Sequence, residues 1–441
     1  MSAPIILAVV VRLVALPAYY IWFIVSNCSL ARRIGLRTVI IPGDLTSPAW
    51  LLLGPCLAAF ERWLTGGRNW LFRYGWLGSD FKEKASLHLE FSDAFMCATP
   101  GKNYLYLADS VAINHIFQTE RRGDFFQPHK TVEMLPKGRT DGTIVALRLS
   151  RQILEHCLPC GDNGTDALVG ISRQFALNVL KRTSFGKAYD FQAVLGSKDS
   201  SVTAPVSKSK FMDYRESLRL ILENCILIVA LGPKFLEKWG GINSKLSLLG
   251  HATSSFRHHL DAIYNESKLG GKQQELRANL MAYLVRSSGN MFIYAFAGHD
   301  TVAHALAFTL ALLVAHPEDQ DWMREELWEV LYDEREEWSY ESFGKLKRVA
   351  AVQLETLRLF NPLVGAMKNA NKTTPAQLPL NNGRPITLPA GTPIYFNFNG
   401  LHTHPKHWGP DAEEWRPSHW ITTDKNCEEQ QMVLEKGSFI P

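Results

Sequence analysis

The sequence predicts a mainly α-helical protein with a small β-sheet region. Long apolar or amphipathic helical patterns dominate the chain, whereas strand-like pieces are short, such as Tyr104–Leu107 and Thr392–Phe398. No internal repeat or low-complexity linker divides the body of the chain. We therefore expect residues 31–441 to form one folded domain. Residues 1–30 are expected to form a membrane anchor, for the reasons given below.

Composition excludes several classes of protein. Hydrophobic residues make up 46% of the 441 residues and charged residues 20%, which is ordinary for a folded globular chain. The net charge is only +4, and no block of basic residues interleaved with aromatics occurs, so nucleic acid is not an expected partner. The 7 cysteines are scattered, which argues against a secreted disulfide framework and favours a reducing compartment.

The N-terminus predicts a membrane-spanning helix. Ala3–Val25 is apolar except for Arg12 and the aromatic residues near its end, and a helix of about 20 apolar residues crosses a bilayer. An arginine in mid-helix opposes insertion by about 2.5–3.5 kcal/mol. Arg32, Arg33 and Arg37 follow the apolar run, and this excess of basic residues predicts that the body of the chain faces the cytosol.

A cleaved signal peptide is the alternative for this segment. Ser29-Leu30-Ala31 is similar to a small-x-small cleavage site, but no basic residue precedes Arg12. A second apolar run, Trp50–Phe60, is interrupted by Gly54-Pro55 and fits an element that dips into the membrane face better than one that crosses it. The anchor interpretation is therefore preferred.

Further helices are expected along the body of the chain. Phe211–Leu231 is apolar with polar interruptions at helical spacing, and Phe256–Lys268 is amphipathic. Leu346–Phe360 is also amphipathic and carries Glu355 and Arg358, which are neighbours on one helix face because they lie three residues apart. A surface ion pair at this spacing is common and stabilises a fold little.

The segment Asn290–His316 predicts a long helix that is apolar almost throughout and therefore belongs in the core. Gly298, Asp300 and Thr301 interrupt its middle. In one interpretation Gly298 is a packing glycine beside a locally satisfied Asp–Thr pair. In the other, Gly298 lets a flat group approach the backbone, and Thr301 holds water or oxygen on the same face. The residues by themselves leave both interpretations open.

A series of motifs occurs in a fixed order after this helix. The motifs are Ala297-Gly298-His299-Asp300-Thr301, Ala315-His316-Pro317-Glu318, Glu355-Thr356-Leu357-Arg358, Gly391-Thr392-Pro393-Ile394, His404 to Ala412 and Trp415 to Trp420. The series resembles the C-terminal half of a membrane-bound eukaryotic cytochrome P450, and it is most similar to fungal members. The resemblance is specific from about Asn290 to Pro441 and fainter between Gly66 and Lys268.

The resemblance implies a cytochrome P450 fold and assigns roles to residues of the long helix. Ala297 and Gly298 would lie over the haem face where oxygen binds. Asp300 and Thr301 would be the acid–alcohol pair that delivers protons to bound oxygen.

The resemblance also assigns roles to residues after that helix. Glu355 and Arg358 would form a buried ion pair that braces the helix beneath the haem, so they would not be a surface pair. His419 stands where the family usually has the arginine that completes this brace. Lys368 is a candidate contact for a haem propionate.

The resemblance further implies haem as cofactor, a lipophilic small-molecule substrate and electrons from NADPH-cytochrome reductase. It places the protein at the endoplasmic reticulum membrane, with hydroxylation or epoxidation as its reaction, in the manner of relatives that tailor secondary metabolites. The family's iron ligand is a cysteine in a loop that follows the segment Lys436–Pro441. We expect the chain to stop short of that loop, so no metal ligand is predicted and Cys427 is not expected to replace it.

Because of this expected loss of the ligand, the chain is predicted to be impaired or inactive as an oxygenase. One alternative function is a non-catalytic, membrane-tethered remnant or an interaction partner of an intact relative. Another is a metal-dependent enzyme that uses His402, His404 and His407, since three histidines this close together are similar to a zinc site. An ordinary polar loop is the preferred interpretation of these histidines.

Overall fold

The structure is a computed structural model that describes much of the chain. The described residues are 3–66, 72–119, 125–126, 150–153, 155, 168–185, 211–232, 235–236, 244–269, 288–331, 342, 344–424, 429–432 and 437–440. Two compact units are distinguished, and each is described by itself. Unit 1 comprises Met1–Lys130, Leu363–Trp415 and Val433–Pro441, and unit 2 comprises Thr131–Pro362 and Arg416–Met432.

Helices make up most of the described residues, which confirms the predicted fold class. In chain order the helices are α1 (Ala3–Arg32), α2 (Pro48–Leu64), α3 (Ser79–Glu83), α4 (Ser86–Phe91), α5 (Ser110–Thr119), α6 (Leu168–Phe185), α7 (Tyr214–Glu223), α8 (Cys225–Leu231), α9 (Ser244–Leu269), α10 (Ser288–Ala315), α11 (Pro317–Leu331), α12 (Lys347–Leu359), α13 (Phe398–His402) and α14 (Pro405–Trp408). A 3-10 helix spans Pro417–Trp420.

The strands are short, as the sequence predicts. They are β1 (Thr38–Ile40), β2 (Ala94–Ala98), β3 (Asn103–Leu107), β4 (Phe125–Phe126), β5 (Gly365–Ala370), β6 (Ala376–Leu378), β7 (Ile386–Leu388), β8 (Pro393–Asn397), β9 (Ile421–Thr423) and β10 (Glu429–Gln431). The predicted strand pieces around residues 104–107 and 392–398 correspond to β3 and β8.

Unit 1 is built on a six-stranded sheet with the order β1-β2-β3-β8-β5-β4. The β1–β2 and β3–β8 pairs are parallel, and the other neighbouring pairs are antiparallel. Successive residues of β3 point to opposite faces, so Leu105 belongs to one apolar cluster and Tyr104 and Tyr106 to another. Both faces of the central strands are therefore buried.

Unit 2 is organised around the long helix α10, which packs along α6 and also contacts α9, α11 and α12. The hairpin β9–β10 lies against α12, where Arg348 donates two hydrogen bonds to the carboxylate of Glu429 at 2.9 Å each. The same guanidinium donates to Trp322 O at 2.8 Å. One arginine thus connects α11, α12 and β10.

The predicted helix Phe211–Leu231 is divided into α7 and α8 by a turn at Asn224. The side chain of Asn224 donates from Nδ2 to the carbonyl of Leu220 at 3.0 Å. Asparagine competes in this way with the helical backbone for its hydrogen bonds, which explains the interruption.

The predicted membrane anchor falls on α1, which is helical from Ala3 to Arg32. The side chains of most of its first half lie outside the described residues, so the anchor and the boundary at residue 30 stay predictions. Among the described residues, the segment that is long and apolar enough to cross a membrane is Ala297–Ala315. That segment is part of the helix that the sequence places in the core, and length and composition alone do not separate the two roles.

A buried carboxyl group lies beneath the sheet of unit 1. Asp80 is buried, and its Oδ2 accepts a hydrogen bond from the Tyr395 hydroxyl at 2.7 Å. Its Oδ1 has no hydrogen-bond partner among the described residues. Burial raises the pKa of Asp80 to about 6, although the hydrogen bond from Tyr395 acts in the opposite direction.

We expect this carboxyl group to make the stability of the protein depend on pH. In the unfolded chain Asp80 titrates near its ordinary pKa of 3.8, so between that pH and about 6 the unfolded state has lost its proton while the folded state keeps it. The free energy of unfolding should therefore fall by about 3 kcal/mol across this window. Chemical unfolding at a series of pH values measures the change, and the Asp80→Asn variant should lack it. An equally steep decline in that variant would contradict the assignment.

Candidate active site

Two predicted site residues of α10, Ala297 and Thr301, lie on an accessible face of the helix. The hydroxyl of Thr301 donates a hydrogen bond to the carbonyl of Ala297 at 2.6 Å, one turn earlier. Ala297 is exposed and Thr301 is half-buried. The two residues share one side of the helix because they lie four residues apart. A small side chain and a hydroxyl group therefore lie together where a ligand can reach them.

Gly298 faces helix α6. A Cβ atom added to Gly298 would lie 3.1 Å from Cδ1 of Leu180, which is closer than most contacts of this kind. The missing side chain thus allows α6 and α10 to approach each other. Of the two interpretations left open by the sequence, this contact supports the packing glycine, and the predicted role of Gly298 at a cofactor stays a prediction.

Asp300 is held by an ion pair between two helices. Its Oδ1 accepts a hydrogen bond from Nε of Arg173 on α6 at 2.8 Å, and its Oδ2 lies 3.4 Å from Nδ1 of His304. Each member of the Arg173 pair has about a quarter of its side chain exposed. The carboxylate therefore has a fixed position with one side still open to solvent.

Sequence reasoning did not find the partners of Asp300. His304 follows Asp300 by four residues, so helical spacing was a usable signal. Arg173 is 127 positions away from Asp300 in the chain, and nothing in the residues around it marks it as a partner.

His299 lies between these residues and the core. Its Nε2 is 2.9 Å from the carbonyl oxygen of Arg173, and the side chain is buried. Burial lowers the pKa of His299, which favours the neutral imidazole with the proton on Nε2. The turn of α6 that carries Arg173 is thereby fixed to α10 by a second contact.

The Glu355–Arg358 pair is buried within unit 2. Both side chains are 0% exposed, and two hydrogen bonds of 2.7 Å and 2.8 Å join the guanidinium to the carboxylate. The carboxylate also accepts hydrogen bonds from the backbone N–H of Arg416 at 2.8 Å and from Nε1 of Trp420 at 2.9 Å. The surface interpretation of this pair is therefore wrong.

The other two donors to Glu355 come from Arg416, which precedes His419 in the chain, and from Trp420, which follows it. Sequence reasoning assigned a role in the brace to His419 and missed Trp420, although an indole N–H is a natural partner for a buried carboxylate. The role of His419 stays a prediction.

Lys368 lies in β5 of unit 1, and its side chain is buried. Its ammonium group is 4.3 Å from the ring centroid of Phe117, a favourable cation–π distance. The predicted contact with a haem propionate stays a prediction.

Two of the three histidines near residue 404 use ring nitrogens for polar contacts within the protein. Nε2 of His402 accepts a hydrogen bond from the backbone N–H of Ile440 at 3.0 Å. His404 uses both ring nitrogens, since Nδ1 accepts from Lys406 N at 3.2 Å and Nε2 lies 3.2 Å from Oδ1 of Asp93. This geometry favours a structural loop over a metal-dependent enzyme.

Comparison with known proteins gives a consistent result. The pattern that describes the cytochrome P450 family matches residues 257–441. Cytochrome P450 monooxygenase 124 of Postia placenta is 35% identical over 168 residues, which cover 38% of this chain and 30% of that protein. The putative cytochrome P450 CYP13A4 of Caenorhabditis elegans is 30% identical over 186 residues, 42% of this chain and 33% of that protein.

A longer similarity covers most of the chain at lower identity. Cytochrome P450 monooxygenase ORF6 of Penicillium roqueforti is 24% identical over 479 aligned positions, which cover 95% of this chain and 79% of that protein. In contrast, the matches to the Postia placenta and Caenorhabditis elegans proteins span only about a third of those relatives' length.

The described fold is mainly helical with short strands, and residues 257–441 match the cytochrome P450 family. The chain is thus similar to cytochrome P450 monooxygenases, most specifically in this C-terminal part.

The family implies haem, whose iron needs a thiolate ligand. The described cysteines are Cys28 and Cys97, which are buried, Cys56, which is exposed, and Cys225, which is half-buried. Burial raises the pKa of the Cys97 thiol well above its ordinary value, so this group stays protonated. Each of the four lies in a helix or a strand rather than in a glycine-rich loop. No iron ligand is therefore assigned among these four described cysteines.

Cys157, Cys160 and Cys427 lie outside the described residues.

We expect the contact between Gly298 and Leu180 to decide the effect of substitution at residue 298. Gly298→Ala gains about 1 kcal/mol of helix propensity but presses a methyl group against Leu180, so the net change in stability should be small. In a Leu180→Ala background the same substitution should stabilise the protein by about 1 kcal/mol. Chemical unfolding of the four proteins measures the difference, and an equal effect in both backgrounds would argue against this packing role.

We expect the buried Glu355 to contribute far more to stability than an exposed glutamate. Glu355→Gln leaves the Arg358 charge without its partner in the core and should cost about 3–5 kcal/mol. Trp420→Phe removes one hydrogen bond to the carboxylate and should cost about 1.5–3 kcal/mol. The matched control is Glu216→Gln, which removes an exposed ion pair with Arg219 and should cost about 1 kcal/mol or less. Similar losses at residues 355 and 216 in thermal or chemical unfolding would rule out the brace.

Proposed function

We propose that the protein is a monooxygenase that uses haem, molecular oxygen and electrons from NADPH-cytochrome reductase to hydroxylate or epoxidise a lipophilic small molecule. The observation that carries this proposal is the arrangement in α10. There the accessible hydroxyl group of Thr301 directly follows Asp300, whose carboxylate is held in place by an ion pair. Haem supplies the activation of oxygen when it is bound. The described side chains would transfer protons and stabilise the surrounding fold.

Thr301 and Asp300 have different roles in the proposed transfer of protons. The Thr301 hydroxyl already donates to Ala297 O, so its oxygen is free to accept a hydrogen bond from a water molecule on the accessible face. The Asp300 carboxylate, held by Arg173 and flanked by His304, can exchange a proton with solvent on its open side. Glu355 and Arg358 have no access to solvent and act only as a structural brace.

Residues 1–30 are proposed to anchor the protein in the endoplasmic reticulum membrane with the body facing the cytosol. The apolar run Ala3–Val25 and the basic residues after it support this orientation. A role in the tailoring of secondary metabolites is proposed on the basis of the family resemblance alone. Ala297, Gly298 and Lys368 are proposed as haem contacts on the basis of the family resemblance.

The proposal is tested by a carbon monoxide difference spectrum of the reduced, purified protein supplied with haem. A thiolate-type Soret band, together with oxygen-dependent oxidation of NADPH in the presence of the reductase, is the expected result, with the thiolate supplied by a cysteine outside the described residues. Thr301→Val should keep the band but form about 10²-fold less product, whereas Thr301→Ser should retain most activity because it keeps the hydroxyl.

A flat trace, or a histidine-type band alone, would contradict the proposal. That outcome would favour a non-catalytic, membrane-tethered protein.

A further inference from the structure

The hairpin β6–β7 of unit 1 carries an asparagine that is followed directly by glycine. Residues 379–385 connect the two strands, and the backbone N–H of Gly383 donates to the carbonyl of Leu380 at 2.9 Å, which closes a tight turn. Asn382 and Gly383 are both exposed. The pair therefore lies in a turn that is open to solvent.

The side chain of Asn382 folds back on its own turn. Its Oδ1 accepts a hydrogen bond from the backbone N–H of Arg384 at 2.9 Å, which is the contact that defines an Asx turn. The ring closed by this hydrogen bond contains the backbone nitrogen of Gly383. The carboxamide carbon of Asn382 and that nitrogen thus belong to the same tight turn.

Gly383 leaves the approach to its backbone nitrogen open. Its φ is +76°, and a Cβ atom added to it would meet nothing within 4 Å. Glycine adopts this left-handed conformation without strain, and it has no side chain that could shield the peptide group. The hydrogen bond from Gly383 to Leu380 is at the surface, where exchange for a bond to water costs little net free energy. The nitrogen is therefore accessible to reaction.

We propose that Asn382 is a site of spontaneous deamidation. The deprotonated backbone nitrogen of Gly383 attacks Cγ of Asn382, the Cγ–Nδ2 bond breaks, and Nδ2 leaves as ammonia, so that a cyclic imide forms. Water then adds to either carbonyl carbon of the imide and breaks its bond to the ring nitrogen. The product is aspartate or isoaspartate, and the net change is the uptake of water and the release of ammonia.

The Asx turn assists the first of these steps. Attack on Cγ moves negative charge onto Oδ1 of Asn382, and the N–H of Arg384 already donates to that atom. A donor that is in place before the reaction stabilises the developing charge without further reorganisation. The same hydrogen bond that orders the turn thus favours its modification.

The product would alter the attachment of the hairpin to helix α5. The backbone N–H of Asn381 donates to Oδ2 of Asp109 at 2.8 Å, and Oδ1 of Asp109 accepts from the N–H of Ala112 in the first turn of α5 at 2.9 Å. Deamidation adds a carboxylate to the residue next to this contact, and like charges that lie close together repel each other. Isoaspartate also lengthens the backbone at residue 382. Modification should therefore weaken the contact with α5.

A second asparagine–glycine pair provides a comparison in a different environment. Asn399 and Gly400 lie in helix α13, and Asn399 is only 2% exposed. The N–H of Gly400 is engaged by Oδ1 of Asn397 at 2.9 Å, and a Cβ atom added to Gly400 would lie 2.7 Å from Cδ2 of His88. The same two residue types are therefore buried, hydrogen-bonded and crowded at this position.

A third asparagine separates the contribution of glycine from that of the turn. Oδ1 of Asn371 accepts from the N–H of Thr373 at 2.9 Å, so Asn371 forms an Asx turn like that of Asn382. It is followed by Lys372 rather than by glycine. The side chain of Lys372 hinders attack by its own backbone nitrogen, so Asn371 should react more slowly than Asn382.

The experiment follows deamidation in the folded full chain, incubated in neutral and in mildly alkaline buffer. Samples are digested with trypsin and quantified by mass spectrometry against a sample taken before incubation. The tryptic peptide 373–406 carries both asparagine–glycine pairs, because the bond before Pro385 resists trypsin. Asn382 should convert at least about 10-fold faster than Asn399, since α13 must open locally before Asn399 can react. The rate at Asn382 should rise with hydroxide concentration.

Incubation in urea removes the structural difference, so Asn382 and Asn399 should then convert at similar rates. Two matched variants test the origin of the signal in the folded chain. Asn382→Ser keeps an oxygen that can accept from Arg384 N but removes the reacting carboxamide, so the modification of the turn should disappear. Asn371→Ser should leave the conversion at Asn382 unchanged.

An unmodified Asn382 in the folded chain, together with conversion in urea, would show that the turn protects this residue and would overturn the proposal. Equal conversion of Asn382 and Asn399 in the folded chain would also overturn it, because the exposed turn would then have no influence. Cleavage of the aged peptide by a protease that recognises aspartate but not isoaspartate distinguishes the two products, and either one supports the proposal.

Discussion

The buried carboxylate of Glu355 is the interaction on which the order of unit 2 depends. A charge with no exposure is stable in a protein only if hydrogen bonds replace its hydration. Here four donors surround it: two from Arg358, the backbone N–H of Arg416 and the indole N–H of Trp420. The need to satisfy this one group fixes α12 against the 3-10 helix Pro417–Trp420 and the hairpin that follows it.

The polar residues of α10 serve two different sides of the same helix. Gly298, His299 and Asp300 face α6, through contacts with Leu180, the carbonyl of Arg173 and the guanidinium of Arg173. Ala297 and Thr301 remain on the accessible side. The motif thus combines contacts to α6 on one side with an accessible hydroxyl group on the other, and the contacts to α6 explain why a core helix tolerates both a glycine and an aspartate.

Unit 1 has a sheet that is buried on both faces and a helix, α2, whose outer face is apolar. Its sheet is buried on both faces, so the apolar residues of its strands are fully used in the core. Helix α2 contributes Trp50 to this core but leaves an equally apolar face outside. In water such a face is unfavourable because the hydration of apolar surface costs free energy. The packing of the unit does not require this second apolar face.

The sequence by itself determined the mainly helical class, the long helix around Thr301, the short strands β3 and β8, and the spacing of Glu355 and Arg358. Each of these depends on local periodicity or on residues a few positions apart, which a linear chain displays directly. Tertiary structure alone decided that Glu355 is buried, that Trp420 and Arg416 satisfy it, that Arg173 holds Asp300, and that Leu180 fills the space beside Gly298. These partners are separated by 61 to 127 positions where a hydrogen bond joins them, so only the folded chain brings them within bonding distance.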